Sequence, residues 1–276
     1  MLQKSIAILT CWYGIYPWYF PYFVHSCRFN PTVDFIIITD NDEIIHNKPE
    51  NIILIHRSLD ELKISFEKKL GFSVSIDFPY KLCDFKPAYG YLFPEVIKNY
   101  DFWGIGDVDV VYGDIRAFMN DLLLNEYDVI SSRHDYITGS FCLFRNNEYI
   151  NSLFMKSKDF KKVFTSSDNF CFDECNYQFK ELAEGRSILE LDNHIESMTL
   201  VVKREEKENK LKAFFDFIVI EGFPGRIMWS NGKIIYKNQY EAMLYHLVRF
   251  KSVCKYPKVL NPIPDSFRFT PTRIIK

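Results

Sequence analysis

The stretch YDFWGIGDVDVVYGDI, residues 100–115, sets Asp107 and Asp109 one residue apart inside an otherwise apolar run. On a strand, alternate side chains share a face, so this spacing puts both carboxylates on one side and Val108 and Val110 on the other. Two like charges held that close repel, and burying them is costly. A divalent cation or a bound water network relieves the repulsion, and oxygen ligands of this kind suit Mn²⁺ or Mg²⁺. In open α/β sheets ligands lie beyond the carboxyl ends of the strands, where a pair closing an apolar run would sit. A second Asp-x-Asp, Asp40 and Asp42 in TDND, reads as a strand end whose carboxylates are solvated or cap the next turn.

The elements that must position such a pair alternate along the chain. SIAILTC, DFIIITDN and NIILIH are short, β-branched and bounded by polar or turn residues, as buried parallel strands are. PWYFPYFVHSCRF and DELKISFEKKLG read as helices, the second with acids in its first turn and Gly71 at its end. KLCDFKPAYGYLFPEVIKNY continues as helix, DFWGIGDVDVVY, EYDVISS and GSFCLFRN as strands, and residues 147–184 as a helical region. The alternation predicts an α/β fold: an open, mostly parallel twisted sheet flanked by helices. Residues 199–237 read as a strand-rich insertion whose charge run KREEKENK is a solvated hairpin or loop, and QYEAMLYHLVRFK as a C-terminal helix. Residues 1–254 are thus one domain, with a nucleotide-binding part over about 1–115 and an acceptor-side part over 116–254; 255–276, with four prolines, is an irregular tail.

Composition narrows the function. Lys and Arg number 34 against 36 Asp and Glu, which leaves no global field to attract nucleic acid. Seven scattered cysteines with no Cys-x-x-Cys pair argue against a disulfide framework or a zinc ribbon and fit the cytoplasm. Residues 5–27 carry no Lys, Arg, Asp or Glu, yet Gly14, Pro17 and Pro21 make them a poor membrane span. No Walker loop or Gly-x-Gly-x-x-Gly occurs.

GDVDVVYGDI resembles the Asp-x-Asp strand end of the GT-A (Rossmann-like) class of sugar-nucleotide glycosyltransferases, especially bacterial polysaccharide and lipooligosaccharide enzymes and the retaining galactosyl- and glucosyltransferases. In that family the carboxylates hold Mn²⁺ against the diphosphate of a nucleotide sugar. YITGSFCLFRN looks like the small-residue strand lining the sugar and acceptor pocket, FDECNYQF like the Asp-Glu motif near the anomeric carbon, and YHLVRFK like the late His followed by a basic residue. The likeness runs through residues 5–251 in order and spacing. It implies Asp107, Asp109 and His246 as metal ligands, and Glu174 as nucleophile or stabiliser of an oxocarbenium-like transition state with Asp173 on sugar hydroxyls. The nucleotide is expected over the first strand end, where Thr10 and Tyr13 can meet the base, and Asp84 and Lys86, just before the Asp-x-Asp strand, can contact ribose and phosphate, with Asp107 and Lys251 completing the donor contacts. The glycine the family has between His and the basic residue is missing, which leaves open whether Arg249 or Lys251 faces phosphate. Each residue also has a plainer reading: Tyr13 as a core aromatic, Asp84 and Lys86 as a surface ion pair, Asp173 and Glu174 as helix-start acids, and His246 as a packed residue.

The function so implied is a metal-dependent, retaining hexosyltransferase of bacterial surface polysaccharide synthesis. It would use Mn²⁺ or Mg²⁺ and a nucleotide sugar, read as a UDP-hexose, and act on a glycan or lipid-linked oligosaccharide. The basic, proline-rich tail offers at most a weak peripheral contact with the inner face of a membrane. Two other readings keep the same pocket: a non-catalytic glycan- or nucleotide-binding module, and another metal-dependent nucleotidyl or phosphoryl transferase.

Overall fold

The early apolar runs form the strands that their composition predicts. The computed structural model describes residues 3–222, 225–255 and 257–276. In chain order its strands are β1 (Ile6–Cys11), β2 (Val33–Thr39), β3 (Ile52–His56), β4 (Phe102–Gly106), β5 (Val110–Tyr112), β6 (Val129–Ser131), β7 (Phe141–Arg145) and β8 (Ala213–Phe215). They continue as β9 (Val219–Ile220), β10 (Ile227–Ser230), β11 (Lys233–Tyr236), β12 (Tyr240–Ala242), β13 (Leu244–His246), β14 (Ser266–Phe269) and β15 (Ile274–Ile275). A seven-stranded sheet runs β3-β2-β1-β4-β7-β6-β8 and is mostly parallel; only β7 lies antiparallel to its neighbours, β4 and β6.

Both faces of the central strands of this sheet are buried, which is why those strands are mostly apolar and do not alternate with polar residues. Ile6, Ile8, Phe35 and Ile37 enter one core, while Ala7, Leu9, Ile36 and Ile38 enter the other. On the second face lies helix α2 (Leu59–Leu70), opened by a capping box between Ser58 and Glu61 and closed by Gly71 at φ 77°. On the first face lies helix α1 (Phe20–Arg28), with Tyr22, Phe23 and Cys27 buried. Two smaller sheets share that core: β5-β13-β9, and the antiparallel β12-β11-β10-β14-β15. Trp229 of β10 stacks on Phe267 of β14 at 5.0 Å and donates its indole N–H to the Tyr112 carbonyl at 2.8 Å, tying the two small sheets together.

Four sequence expectations are corrected. The run through Asp107 and Asp109 is not one strand: β4 stops at Gly106, and residues 107–109 turn into β5. The charge run in 203–210 falls largely on the helix Met198–Lys207, whose Val201, Val202 and Glu205 are buried while Lys203, Arg204 and Glu206 are half-buried in ion pairs. The expected helix over 239–251 is instead β12 and β13 followed by the single helical turn Phe250–Val253, because β11 and β5 offer those residues strand partners. The tail is not irregular throughout, since β14 and β15 complete the five-stranded sheet; Tyr256 lies outside the described residues.

Candidate active site

The turn after β4 and the end of β13 bring the acidic pair and His246 together. Val110 of β5 pairs with His246, and the Leu247 N–H donates to the Asp109 carbonyl at 2.8 Å. One ligand atom from each of Asp107, Asp109 and His246 lies within 4.8 Å of the others. Two carboxylate oxygens and an imidazole are a donor set suited to Mn²⁺ or Mg²⁺, so these residues fit the ion that the Asp-x-Asp implies.

Cationic side chains surround the pair. Lys251 Nζ meets Asp109 Oδ2 at 2.5 Å, and His246 Nε2 lies 3.5 Å from the same oxygen. Asp109 is buried, which alone would raise its pKa; the hydrogen bond and charge of His246, followed by Lys251, hold it well below the usual carboxylate range. For His246, burial pulls the pKa down, but Asp109 and Glu221 on either side of the ring push it up to about 10.

Lys86 links this cluster to a second one. Its Nζ donates to Asp107 Oδ1 at 2.6 Å and to the Gly139 carbonyl at 2.9 Å, and lies 3.9 Å from Asp173 Oδ2. Burial would lower the Lys86 pKa; Asp107, foremost among its neighbours, reverses this and keeps the lysine charged. Glu174 Oε1 accepts the Gly139 N–H at 2.8 Å, and its other oxygen lies 3.4 Å from the Cys171 thiol. Burial raises both carboxyls of the pair. For Asp173 the charge of Lys86 opposes the rise and the neighbouring Glu174 adds to it, while for Glu174 the Gly139 N–H and then Lys86 oppose it.

The pair sits in a turn, since the next helix begins only at Phe179. Asp84 shapes that turn from behind. It is fully buried, takes Lys81 Nζ at 2.9 Å, and accepts the N–H groups of Phe170 and Phe172 at 3.0 and 2.9 Å. Its hydrogen bonds go to the protein, so the structure places Asp84 beneath the site and not in it. Thr10 donates its hydroxyl to the Gly106 carbonyl at 2.9 Å, holding the ends of β1 and β4 together. The Tyr13 ring is packed in the core, and its buried hydroxyl has no hydrogen-bond partner among the described residues.

Three site residues were not reached from sequence: Glu221, which hydrogen-bonds His246 Nδ1 at 2.8 Å; Arg133, which holds Glu221 at 2.6 Å; and Gly139 as the close backbone neighbour of both acids. EGFPG and SSRHD carry turn residues but nothing that separates Glu221 and Arg133 from ordinary loops, and YITGSFCLFRN marks a pocket-lining segment without singling out Gly139 within it.

Over residues 8–276 the chain matches the family described as a family of unknown function, DUF6625, and it belongs to that family. No curated protein matches it. Among solved structures it is similar to the galactosyltransferase LgtC in complex with donor and acceptor sugar analogues, at 12% identity and a TM-score of 0.36, over 60% of this chain and 66% of that one. It is also similar to the apo form of the glycosyltransferase GlyE of Streptococcus pneumoniae TIGR4, at 10% identity and a TM-score of 0.35, over 77% of this chain and 45% of that one. An active-site mutant of LgtC aligns at 10% identity and a TM-score of 0.34, over 76% and 72%. The chain thus spans just under two thirds of the first of these proteins and less than half of the second.

Proposed function

We propose that this protein is a metal-dependent glycosyltransferase of the GT-A class. It would move a hexose from a nucleotide sugar, read as a UDP-sugar, to a glycan or lipid-linked acceptor in surface polysaccharide synthesis, with retention at the anomeric carbon. The observation that carries this reading is Lys86, one side chain that touches the Asp107 carboxylate at 2.6 Å and reaches the Asp173 carboxylate at 3.9 Å. A cation-binding triad and a buried carboxyl pair are therefore one side chain apart at the carboxyl end of a mostly parallel sheet, the place where such folds bind ligands.

Asp107, Asp109 and His246 would hold the cation, which supplies positive charge for a departing diphosphate. Lys251, more than a third exposed at its side chain, would be the cationic side chain placed to face that phosphate if Asp109 held the ion. Lys86 stays charged against the leaving group. Glu174, aligned by the Gly139 N–H, would face the anomeric carbon as nucleophile or charge stabiliser, with Asp173 on a sugar hydroxyl. Thr10 and Tyr13 would lie behind the nucleotide side as buried supports, Thr10 through its hydrogen bond to the Gly106 carbonyl. No helix among the described residues is long and apolar enough to cross a membrane.

The test is a thermal-shift and product assay with a panel of nucleotide sugars, with and without Mn²⁺. Stabilisation that needs both UDP and metal, together with a product whose anomeric configuration by proton NMR matches the donor, is the expected result. Binding without hydrolysis or transfer to any acceptor would instead favour a non-catalytic module.

Two smaller predictions follow from the site. Because His246 keeps its proton up to a pH of about 10, its contribution to folding is complete below the ordinary histidine pKa and is lost as pH rises through 10. A cation needs the neutral imidazole, so at pH 8 uptake should release about one proton per ion, read by calorimetry in buffers of different ionisation enthalpy. Uptake with no proton release would exclude His246 as a ligand. At Gly139, an added Cβ would stand 2.5 Å from Asp173 Oδ2 and 3.2 Å from Lys86 Nζ. Gly139→Ala should therefore displace the pair and cut kcat by roughly 100-fold, the scale of a 1 Å misplacement, with Mn²⁺ binding kept.

A further inference from the structure

Glu221 lies where a small sheet puts it. In β5-β13-β9, Val110 pairs with His246 and Tyr245 with Ile220, so Asp109, His246 and Glu221 stand side by side at one end of three adjacent strands. The imidazole is held between the two acids, with Nε2 3.5 Å from Asp109 Oδ2 and Nδ1 2.8 Å from Glu221 Oε1. The second oxygen of Glu221 accepts from Arg133 Nη1 at 2.6 Å. Arg133 is itself clamped by Asp135 through two hydrogen bonds, at 2.9 and 2.7 Å, and lies over the Tyr136 ring at 4.5 Å.

We propose that Glu221, braced by Arg133, is a positioning residue that takes the Nδ1–H of His246 and so presents Nε2 as the metal-binding nitrogen. This rests on the cation site proposed above. An imidazole ligand must offer one lone pair in a fixed direction, and a carboxylate on the opposite nitrogen sets both the tautomer and the ring rotation while raising ligand basicity. Glu221 is not itself a ligand, because one of its oxygens is committed to His246 and the other to Arg133. Arg133 does more than neutralise charge: its planar guanidinium joins Asp135 to Glu221 and ties the loop after β6 to the end of β9.

The experiment is Mn²⁺ binding to the full chain at one fixed pH, by calorimetry, with pulsed EPR to detect the histidine nitrogen coupled to the ion. The wild type and Glu221→Gln, whose amide oxygen can still accept the Nδ1–H, should show that coupling. Glu221→Ala should bind Mn²⁺ about 10- to 100-fold more weakly and lose or broaden the coupling, as His246→Ala does. Glu221→Asp keeps the charge but falls one methylene short of Nδ1; it should behave like Glu221→Ala and serves if the alanine variant does not fold. Wild-type affinity with intact nitrogen coupling in Glu221→Asp or Glu221→Ala would overturn the positioning role while leaving the cation site standing. No Mn²⁺ uptake by the folded wild type would overturn the cation site, and the positioning role with it.

Discussion

Asp109→Ala is expected to abolish sugar transfer, with a loss of about 1,000-fold or more, while the protein stays folded. The substitution removes the carboxylate on which Lys251 and His246 converge, and with it one of the two acids of the cation triad. A metal ion stabilises developing charge by several kcal/mol, and about 1.4 kcal/mol is a factor of ten in rate, which gives that order of magnitude. The fold should survive because Lys251 is partly exposed and finds water when its partner is gone. The check is a steady-state transfer or donor-hydrolysis assay beside a thermal-shift titration, in which Mn²⁺-dependent stabilisation by UDP should vanish. Transfer within tenfold of the wild type would mean that Asp109 holds no essential ion. In the cation-free wild type, the depressed pKa of Asp109 contributes stability above the ordinary aspartate range, and that contribution is lost as pH falls below it.

Asp84→Ala should give the largest loss of stability, about 3–5 kcal/mol, the usual cost of removing one member of a buried ion pair. Both side chains of the Lys81–Asp84 pair are fully buried, and Asp84 also accepts the N–H groups of Phe170 and Phe172. Its removal strands the Lys81 ammonium, which would keep only the carbonyls of Val163 and Asp168, and frees the turn that carries Asp173 and Glu174. For a chain of this size the melting temperature should fall on the order of 10 °C. Urea titration measures the change, and Lys81→Met with Asp84→Ala should recover part of it by removing the uncompensated charge. Unchanged stability of the single variant would show that the pair is less buried in solution than described.

How far the sequence could be read depended on the range of the information. Local signals were sufficient for β1 to β3, α1 and α2, where an apolar run, or acids in a first turn with Gly71 at the end, settles the element within a dozen residues. They pointed also to Asp107 and Asp109, which the structure does bring together with His246, although through a turn and not by the strand alternation expected of the pair. They failed for 240–246, where tertiary pairing with β11 and β5 overrides the helical pattern. In the tail a local signal existed: Phe267 and Phe269 are buried while Ser266 and Arg268 are exposed, an alternation masked by the surrounding prolines. Glu221 and Arg133 were beyond reach because their roles come from side-chain contacts between segments 25 and 88 residues apart in the chain. Asp84 was read as a donor contact because a carboxylate near a lysine suggests a ligand; the structure gives it backbone N–H groups instead.

The most direct test of the central claim is a crystal grown with UDP and Mn²⁺, measured for the anomalous signal of manganese. A single anomalous peak within coordination distance of Asp107, Asp109 and Nε2 of His246, touching the diphosphate, is the result this account predicts. Bound UDP with no manganese at that position, or with the ion held by other residues, would contradict it.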